Sequence, residues 1–593
     1  MKNLETMQWK VAPQEHDLQN ILSEGLNLSP LTAQLLINRG IKDMDAASSF
    51  LSPSLKDLHN PFLMKDMDKA VDRIIKAILG MERICVYGDY DADGTTATAL
   101  LFLFFKEIGA VVEAYIPDRL KEGYGLKKEA LKYLHKKGVR LIVTVDCGIN
   151  CTEEAIYAGE LEIDMVITDH HEVPEELPPS CAILNPKQKD CSFPFKGLAG
   201  IGVAFKLVTA LRANMRDNGL LKDKAVPNLK RYLDLVALGT LGDVVPLVDE
   251  NRVFVKHGME ELNNGSRAGI RALKDVSKQG SANGKFTSWQ VMFQLVPRLN
   301  ASGRLGANQD AFDLLITDDA NIASSLAKSL DRKNSKRQEI EKMVRKDAFA
   351  KIRQGPSCET EDIILLTSMD WHPGVIGIVA SRIVDTYNRP TVLITFRDGI
   401  GKGSARSIKG ISIIGLLREC KEFFAAIGGH SQAAGFSMER DRVQDFKTAL
   451  KKAASTQLSK RDFSREMSLD AIVSLEELSE KVVEEIEGLA PFGSSNPEPL
   501  LGLLNGAVIH SKIVGNNHLK LTIRDRECVG NAIGFNLGDS FPAGTSNPGN
   551  LTPPQKIEMA FTPSINEWNG RRSVQLKIKD LRNQPAEKER VER

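Results

Sequence analysis

"RICVYGDYDADGTTATALLFLFF", Arg83–Phe105, sets three aspartates, Asp89, Asp91 and Asp93, at alternate positions between a short apolar run and a longer one. Aspartate and glycine sit poorly in helices and strands. The stretch therefore reads as a strand over Arg83 to Tyr87, a polar turn, and a helix opening near Thr95. A turn does not account for three carboxylates. Ionised acids this close repel and raise one another's pKa unless something positive sits among them, and a divalent cation is the economical candidate. On this stretch alone, a metal site and a plain polar loop are equal alternatives.

Working outward, strand-length apolar runs at 83–87, 111–116, 140–146 and 164–169 alternate with helical segments such as 127–137 and 151–158. That alternation predicts a mostly parallel sheet with helices on both faces. Three of these strands end in acid: the YGDYDAD turn, Asp146 in VTVDCG, and Asp169 in TDHH. In open α/β sheets the ligand crevice lies at the carboxyl ends of the strands, so acids from distant stretches are expected to converge there. A lone histidine usually satisfies a core hydrogen bond, but His170 and His171 follow Asp169 directly. Oxygen and imidazole donors without thiolates suit manganese or magnesium better than structural zinc. A further acid follows an apolar run in YLDLVALGTLGDVVPL, 232–247, where Asp243 and Asp234 compete and spacing does not choose between them.

The 593 residues exceed a single core, and 42% hydrophobic with 26% charged residues is the balance of a globular protein. A formal net charge of +1 does not exclude nucleic acid, since a basic groove can be offset by acidic surface elsewhere. The eight cysteines form no CxxC pair, which argues for reduced core thiols and a cytoplasmic protein. MKNLETMQWKVAP lacks a signal-peptide centre, and Ala97 to Phe105 is too short to span a membrane, so neither secretion nor insertion is expected.

The chain divides by pattern into a helical appendage (1–75, broken at Pro30, Pro53 and Pro61), a larger α/β domain (76–320), a linker helix (321–355), a smaller α/β unit (356–460), a β-rich unit (461–585) and a tail (586–593). Within 321–353 ten Lys/Arg outnumber four Asp/Glu, which reads as a solvated linker rather than a nucleic-acid contact. In the β-rich unit, runs at 518–525, 528–535, 556–561 and 572–581, with Asn569-Gly570 as a hairpin signal, predict a small antiparallel barrel of which an OB-fold is one form.

GDYDADG (88–94), VDCG (145–148), DHH (169–171) and LGTLGDVVPL (238–247) together resemble, in order, the four motifs of the DHH phosphoesterase superfamily. PRLNASGRLG (297–306), SARS (404–407) and GGHSQAAG (428–435), the last similar to the glycine–histidine motif of the DHH-associated domain, narrow the resemblance. With the β unit from APFGSSNPEP (490–499), the chain is similar to that superfamily's bacterial single-strand-specific exonucleases over roughly residues 80–580. Gly242 before Asp243 departs from the alanine many relatives carry.

The resemblance implies an α/β fold in which a parallel-sheet DHH domain and a smaller α/β DHH-associated domain are joined by a long helix, with a C-terminal OB-like β-barrel. It implies that Asp91, Asp93, Asp146, His170 and Asp243 hold two divalent ions, Mn2+ or Mg2+, which selects Asp243 over Asp234, and that Asp89 and His171 are catalytic helpers. Two such ions, ~3.5–4 Å apart, activate water and neutralise phosphate without a protein nucleophile. Arg119, Arg298, Asn300, Arg304, Ser404, Arg406, Gly428, Gly429 and His430 are implied to bind substrate, the arginines as forked phosphate donors.

The implied activity is 5′ to 3′ hydrolysis of single-stranded DNA in repair and recombination. The implied partners are a strand with a 5′ end, a single-strand-binding protein and a helicase, with no membrane and a monomeric enzyme. Two alternatives remain at this point: a phosphoesterase of short oligoribonucleotides or cyclic dinucleotides, and a catalytically inactive single-strand-binding replication factor.

Overall fold

Arg83–Gly88 lies inside a five-stranded, all-parallel sheet ordered Val112–Tyr115, Arg83–Gly88, Val139–Val145, Asp164–Thr168, Ala182–Leu184. A computed structural model of the chain describes residues 7–221, 225–277, 285–306, 309–355, 361–397, 399–458, 463–538, 555–568 and 570–583. The strands are apolar on both faces because both faces are covered. Ile84 and Val86 point into a core shared with the helices Ala92–Ile108 and Gly200–Asp217, whereas Cys85 and Tyr87 point into another shared with Lys128–Lys136 and Thr152–Glu160. The strand order reverses between Arg83–Gly88 and Val139–Val145, so a crevice opens where Asp89 and Asp146 emerge side by side.

The helix after the acidic turn begins at Ala92, earlier than Thr95, because Asp91 caps it by accepting from the Gly94 N–H at 3.0 Å. Asp93 is thereby drawn into the first turn. Gly94 is required there: a Cβ would lie 2.6 Å from the Asp89 carbonyl oxygen.

The charged helix Ala320–Gln354 is a packed strut rather than a solvated linker. Ala323, Ala327 and Leu330 are buried in the first core, and Val344, Ala348 and Ile352 in a separate core with Pro373–Tyr387. Its basic excess obscured an apolar stripe at helical spacing. The second lobe's sheet runs Ala426–Gly429, Ala433–Glu439, Ile400–Arg406, Thr391–Arg397, Ile364–Ser368, parallel only at the last pair.

The C-terminal unit is an OB-like barrel, closed by antiparallel pairing of Leu501–Val514 with Gln555–Trp568. Leu501–Val514 went unread in the sequence, where Gly502 and Gly506 interrupt its alternation. Trp568 pairs with Arg571 at the expected hairpin, whose Asn569 lies outside the described residues, as does the tail 586–593.

The described residues 7–75 do not stand apart as a separate appendage. Gln8–Val11 pairs in parallel with Glu466–Leu469, and residues of the helices between His16 and Leu51 share the barrel's core. Met67–Leu79 instead packs into the catalytic core. The buried Arg252 joins these bodies: its guanidinium donates to the carbonyls of Phe50, Leu489 and Ala490, and stacks 3.7 Å from the Phe50 ring centroid. No helix among the described residues is long and apolar enough to cross a membrane.

Candidate metal centre and phosphate cleft

Asp146 ends its strand at φ 59°, a left-handed conformation that turns its carboxylate into the crevice beside the Asp89–Asp93 turn. His170 Nε2 lies 3.1 Å from Asp146 Oδ1, 3.5 Å from Asp243 Oδ2 and 4.0 Å from Asp93 Oδ2. Three side-chain sets have ligand atoms within 4.8 Å of one another: Asp146, His170, His171; Asp93, His170, Asp243; and Asp89, Asp91, Asp146. All seven expected metal and helper residues therefore gather in one place. Asp234 does not; it is buried and ion-paired with Arg267 at 2.9 Å.

The electrostatics are those of a site short of positive charge. Burial, then Asp91, lifts Asp93 to about 7, even though the N–H groups of Gly200 and Ile201 donate to it at 2.6 and 2.9 Å from a helix N-terminus. Burial and neighbouring acids hold Asp89, Asp146 and Asp243 well above the usual carboxylate range. Asp89 Oδ1 and Asp243 Oδ2 are buried without a hydrogen-bond partner, and coordination to a metal ion would satisfy them. Burial, then His171, brings His170 down to about 3, leaving the neutral imidazole that ligates metal. The donor set fits hard divalent ions such as Mn2+ or Mg2+.

His171 is held differently. Its Nδ1 lies 2.7 Å from Asp169 Oδ1 and 3.3 Å from the Tyr124 hydroxyl. Asp169 also accepts the backbone N–H groups of Ile149, His170 and His171. Burial opposes the charged forms of both partners, yet their contact wins: Asp169 sits below its ordinary value and His171 above. Gly200 and Tyr124 thus shape the site although neither was singled out, whereas Asp169 was expected among the converging acids without an assigned role. Only Asp169, adjoining the histidines, carried a readable signal. Gly200 shows its role only in space, where a Cβ would stand 2.8 Å from Asp146 Cβ.

Beside the acids lies a second cluster of like charge. Arg119 rests over the Tyr90 ring at 4.9 Å, Arg304 donates to the Gly374 carbonyl at 3.1 Å, and Arg406 to Ser404 Oγ at 3.1 Å and the Ala405 carbonyl at 2.8 Å. No carboxylate among the described residues pairs with any of the three. Burial, then Arg119, Arg337 and Arg406, pushes Arg304 down to about 9, and burial followed by Arg119 lowers Arg406. Asn300 shares the Arg304 helix face one turn away, its Oδ1 buried and unpartnered.

Two expectations change here. Arg298 is clasped to Asp331 at 2.9 Å and to the Gln294 carbonyl, so it braces the long helix rather than joining the cluster. The Gly428-Gly429-His430 turn does not offer a free row of N–H donors, because the His430 N–H already donates to the Ala433 carbonyl. Gly429 instead permits a φ of 140° that carries His430 across to stack on His171, centroids 6.0 Å apart and planes at 12°.

Comparison with known proteins agrees with this layout. Residues 83–240 match the DHH family, N-terminal domain; 361–456 the DHHA1 domain; and 469–580 the RecJ OB domain. The chain is 38% identical over 97% of its length to the single-stranded-DNA-specific exonuclease RecJ of Bacillus subtilis, covering 70% of that protein. It is 34% identical to the Escherichia coli enzyme of the same name, over 93% of this chain and 96% of the relative. The solved structure of RecJ from Thermus thermophilus with Mn2+ superposes with a TM-score of 0.81 at 30% identity, covering 98% of this chain and 80% of that one; with Mg2+ the TM-score is 0.75.

Proposed function

The chain belongs to the RecJ family of single-stranded-DNA-specific exonucleases, and from that premise we infer how its cleft works. It is a metal-dependent hydrolase of phosphodiester bonds in single-stranded DNA. The observation that carries the reading is His170 Nε2 within 4.0 Å of carboxylates from three separate stretches of chain, beside an arginine cluster that no carboxylate among the described residues pairs with. Asp91, Asp93, Asp146, His170 and Asp243 would hold two divalent ions, with Asp89 beside them as a helper. When bound, those ions lower the pKa of water and neutralise phosphate charge.

The protein groups do the rest. Asp169 fixes a proton on His171 Nδ1, leaving Nε2 as the ring atom available to the scissile phosphate or leaving oxygen. Arg119, Arg304, Arg406 and Ser404 receive a terminal 5′-phosphate, which carries more negative charge than an internal diester. A strand anchored there offers its first linkages to the cleft lined by Asp91, Asp93, Asp146, His170 and Asp243, which gives 5′ to 3′ polarity. His430 closes the cleft over His171, and the barrel continues the path of unpaired nucleotides. Such an enzyme acts in DNA repair and recombination in the cytoplasm, supplied with strands by a helicase and a single-strand-binding protein, and works as a monomer.

The test is hydrolysis of matched 5′-labelled DNA, as single strand and duplex, with a short RNA beside them, with and without Mn2+. Metal-dependent release from the single-stranded DNA alone is expected. Equal or faster cleavage of the short RNA would overturn the substrate assignment.

A further inference from the structure

Glu250, Asn251 and Arg252 are consecutive, polar and buried, at 0%, 0% and 2% exposure, in the first turn of the helix Asp249–Asn264. Each reaches a different part of the molecule. Glu250 ion-pairs with the buried Lys206 and accepts the His59 N–H at 2.7 Å, while Arg252 grips the carbonyls of Phe50, Leu489 and Ala490. Those flanking contacts fix the helix start. Asn251, between them, donates through Nδ2 to the Gly197 carbonyl at 2.6 Å and to the Pro246 carbonyl at 2.9 Å. Its Oδ1 is buried with no hydrogen-bond partner among the described residues, so the amide is held by its two donor contacts.

The two carbonyls belong to two loops that frame the metal centre. Gly197 opens the segment in which the Leu198 backbone hydrogen-bonds the His170 ring and the Gly200 and Ile201 N–H groups hold Asp93. Pro246 lies in the segment that begins at Asp243. That second segment is strained: Val244 adopts φ 61°, a left-handed conformation that a β-branched residue rarely takes, and its side chain is 60% exposed, so packing does little to hold it there. Such conformations persist only where the surroundings impose them. Asn251 ties this strained segment to the one that holds Asp93 and His170. On its far side Leu247 is buried, and its N–H donates to the Ser494 carbonyl at 2.8 Å.

We propose that Asn251 is a positioning residue of the metal centre, its amide setting the loop of Asp243 against the loop that holds Asp93 and His170. The inference deepens the metal-dependent reading above and rests on it. Both partners are carbonyl acceptors, so the position calls for a group with two N–H donors; an aspartate of the same shape would turn only oxygens towards them. Groups that orient ligands from behind typically change metal affinity or activity 10–100-fold when removed, because the ligands then leave the geometry the ion demands.

The test is calorimetric binding of Mn2+ to the full chain stripped of metal, beside steady-state hydrolysis and melting in chelator. Asn251→Ala and Asn251→Asp are each expected to weaken Mn2+ binding about tenfold, and at saturating Mn2+ to lower kcat with the KM for single-stranded DNA nearly unchanged. Asn263→Ala is the control. Asn263 lies on the same helix, and its amide clasps the N–H and carbonyl of Phe286, outside the two loops. Its loss should lower the melting temperature to a similar extent and leave Mn2+ affinity at the parental value. Glycine takes the left-handed conformation freely, so adding Val244→Gly to Asn251→Ala should recover part of the lost affinity. Should Asn251→Ala not fold without metal, the double variant is compared with Val244→Gly alone, and weaker Mn2+ binding by the double variant is again expected. Mn2+ affinity no lower than that of Asn263→Ala overturns the proposal, as does a Val244→Gly change that recovers nothing. A parent that binds no Mn2+ would instead overturn the metal reading beneath it.

Discussion

Two clusters of like charge face one cleft, and they are assembled in opposite ways. The acids come from strand ends, a helix start and a helix end of a single lobe, carried by one parallel sheet and the helices packed on it. The guanidiniums come from a loop after Val112–Tyr115, the last turn of Val296–Leu305, and a strand of the second lobe. Each cluster concentrates one sign of charge, the first suited to cations and the second to an anion. The acidic one is preformed within a single core. The basic one exists only while two lobes are packed, so it reports on their docking as well as on the substrate.

The largest break in this comparison comes from the acids. Asp91→Asn and Asp93→Asn should each cut hydrolysis by at least about three orders of magnitude, roughly 4 kcal/mol of barrier, in single-turnover assays with Mn2+. Asp91→Asn should melt no lower than the parent in chelator, because removing one of several crowded acids relieves repulsion while the amide oxygen can still accept the Gly94 N–H. Turnover near the parental rate would remove the residue from the metal set.

Next is the basic cluster. Charge-assisted hydrogen bonds contribute roughly 1.5–3 kcal/mol, so Arg406→Ala should slow cleavage of 5′-phosphorylated strands by about one to two orders of magnitude. Strands with a 5′-hydroxyl should lose less. Equal slowing of the two substrates would deny Arg406 a part in sensing the end.

A smaller effect separates the clusters by pH. Asp93, raised to about 7, binds a proton in the folded chain that the unfolded chain has released between about pH 4 and 7. Stability in chelator should therefore fall as pH rises across that window and level off above it, a change of a few degrees in melting temperature. Saturating Mn2+ should cancel or reverse the slope, since metal binding displaces those protons. An unchanged slope in Asp93→Asn would assign it to other groups.

The smallest expected effect is that of Arg298→Ala. Its ion pair with Asp331 is partly exposed, so its loss should cost about 1 kcal/mol or less in thermal unfolding and leave end preference intact. Loss of 5′-phosphate preference would return Arg298 to the phosphate grip.

The acidic centre was readable because each ligand sits where an apolar run stops: Asp146 after Val139–Val145, His170 after Asp164–Thr168, Asp243 at the end of Leu233–Asp243. Such boundaries are local. Choosing Asp243 over Asp234 took either the family resemblance or the Arg267 ion pair, since both acids flank the same apolar helix. The basic cluster was less legible, because an arginine's role depends on whether a carboxylate reaches it. Arg298 and Arg304 stand six residues apart in one motif, yet among the described residues only the first finds an acid. The apolar stripe of Ala320–Gln354 was masked by its charges, and the strand Leu501–Val514 by its glycines.

The shared core of the two chain ends sets a timetable for biosynthesis. Leu22, Leu35, Leu36 and Phe50 bury themselves against Ala471, Leu501 and Phe561, about four hundred residues or more downstream. At ribosomal speeds of roughly 5–20 residues per second, those apolar helix faces wait ~20–80 s for their counterpart to be translated. Both catalytic lobes emerge in that interval, so the nuclease centre can assemble before the N-terminal helices and the barrel close on one another. A transcript cut short ahead of the barrel would leave these early helices permanently without cover, as a ready substrate for chaperones and proteases rather than a smaller working enzyme.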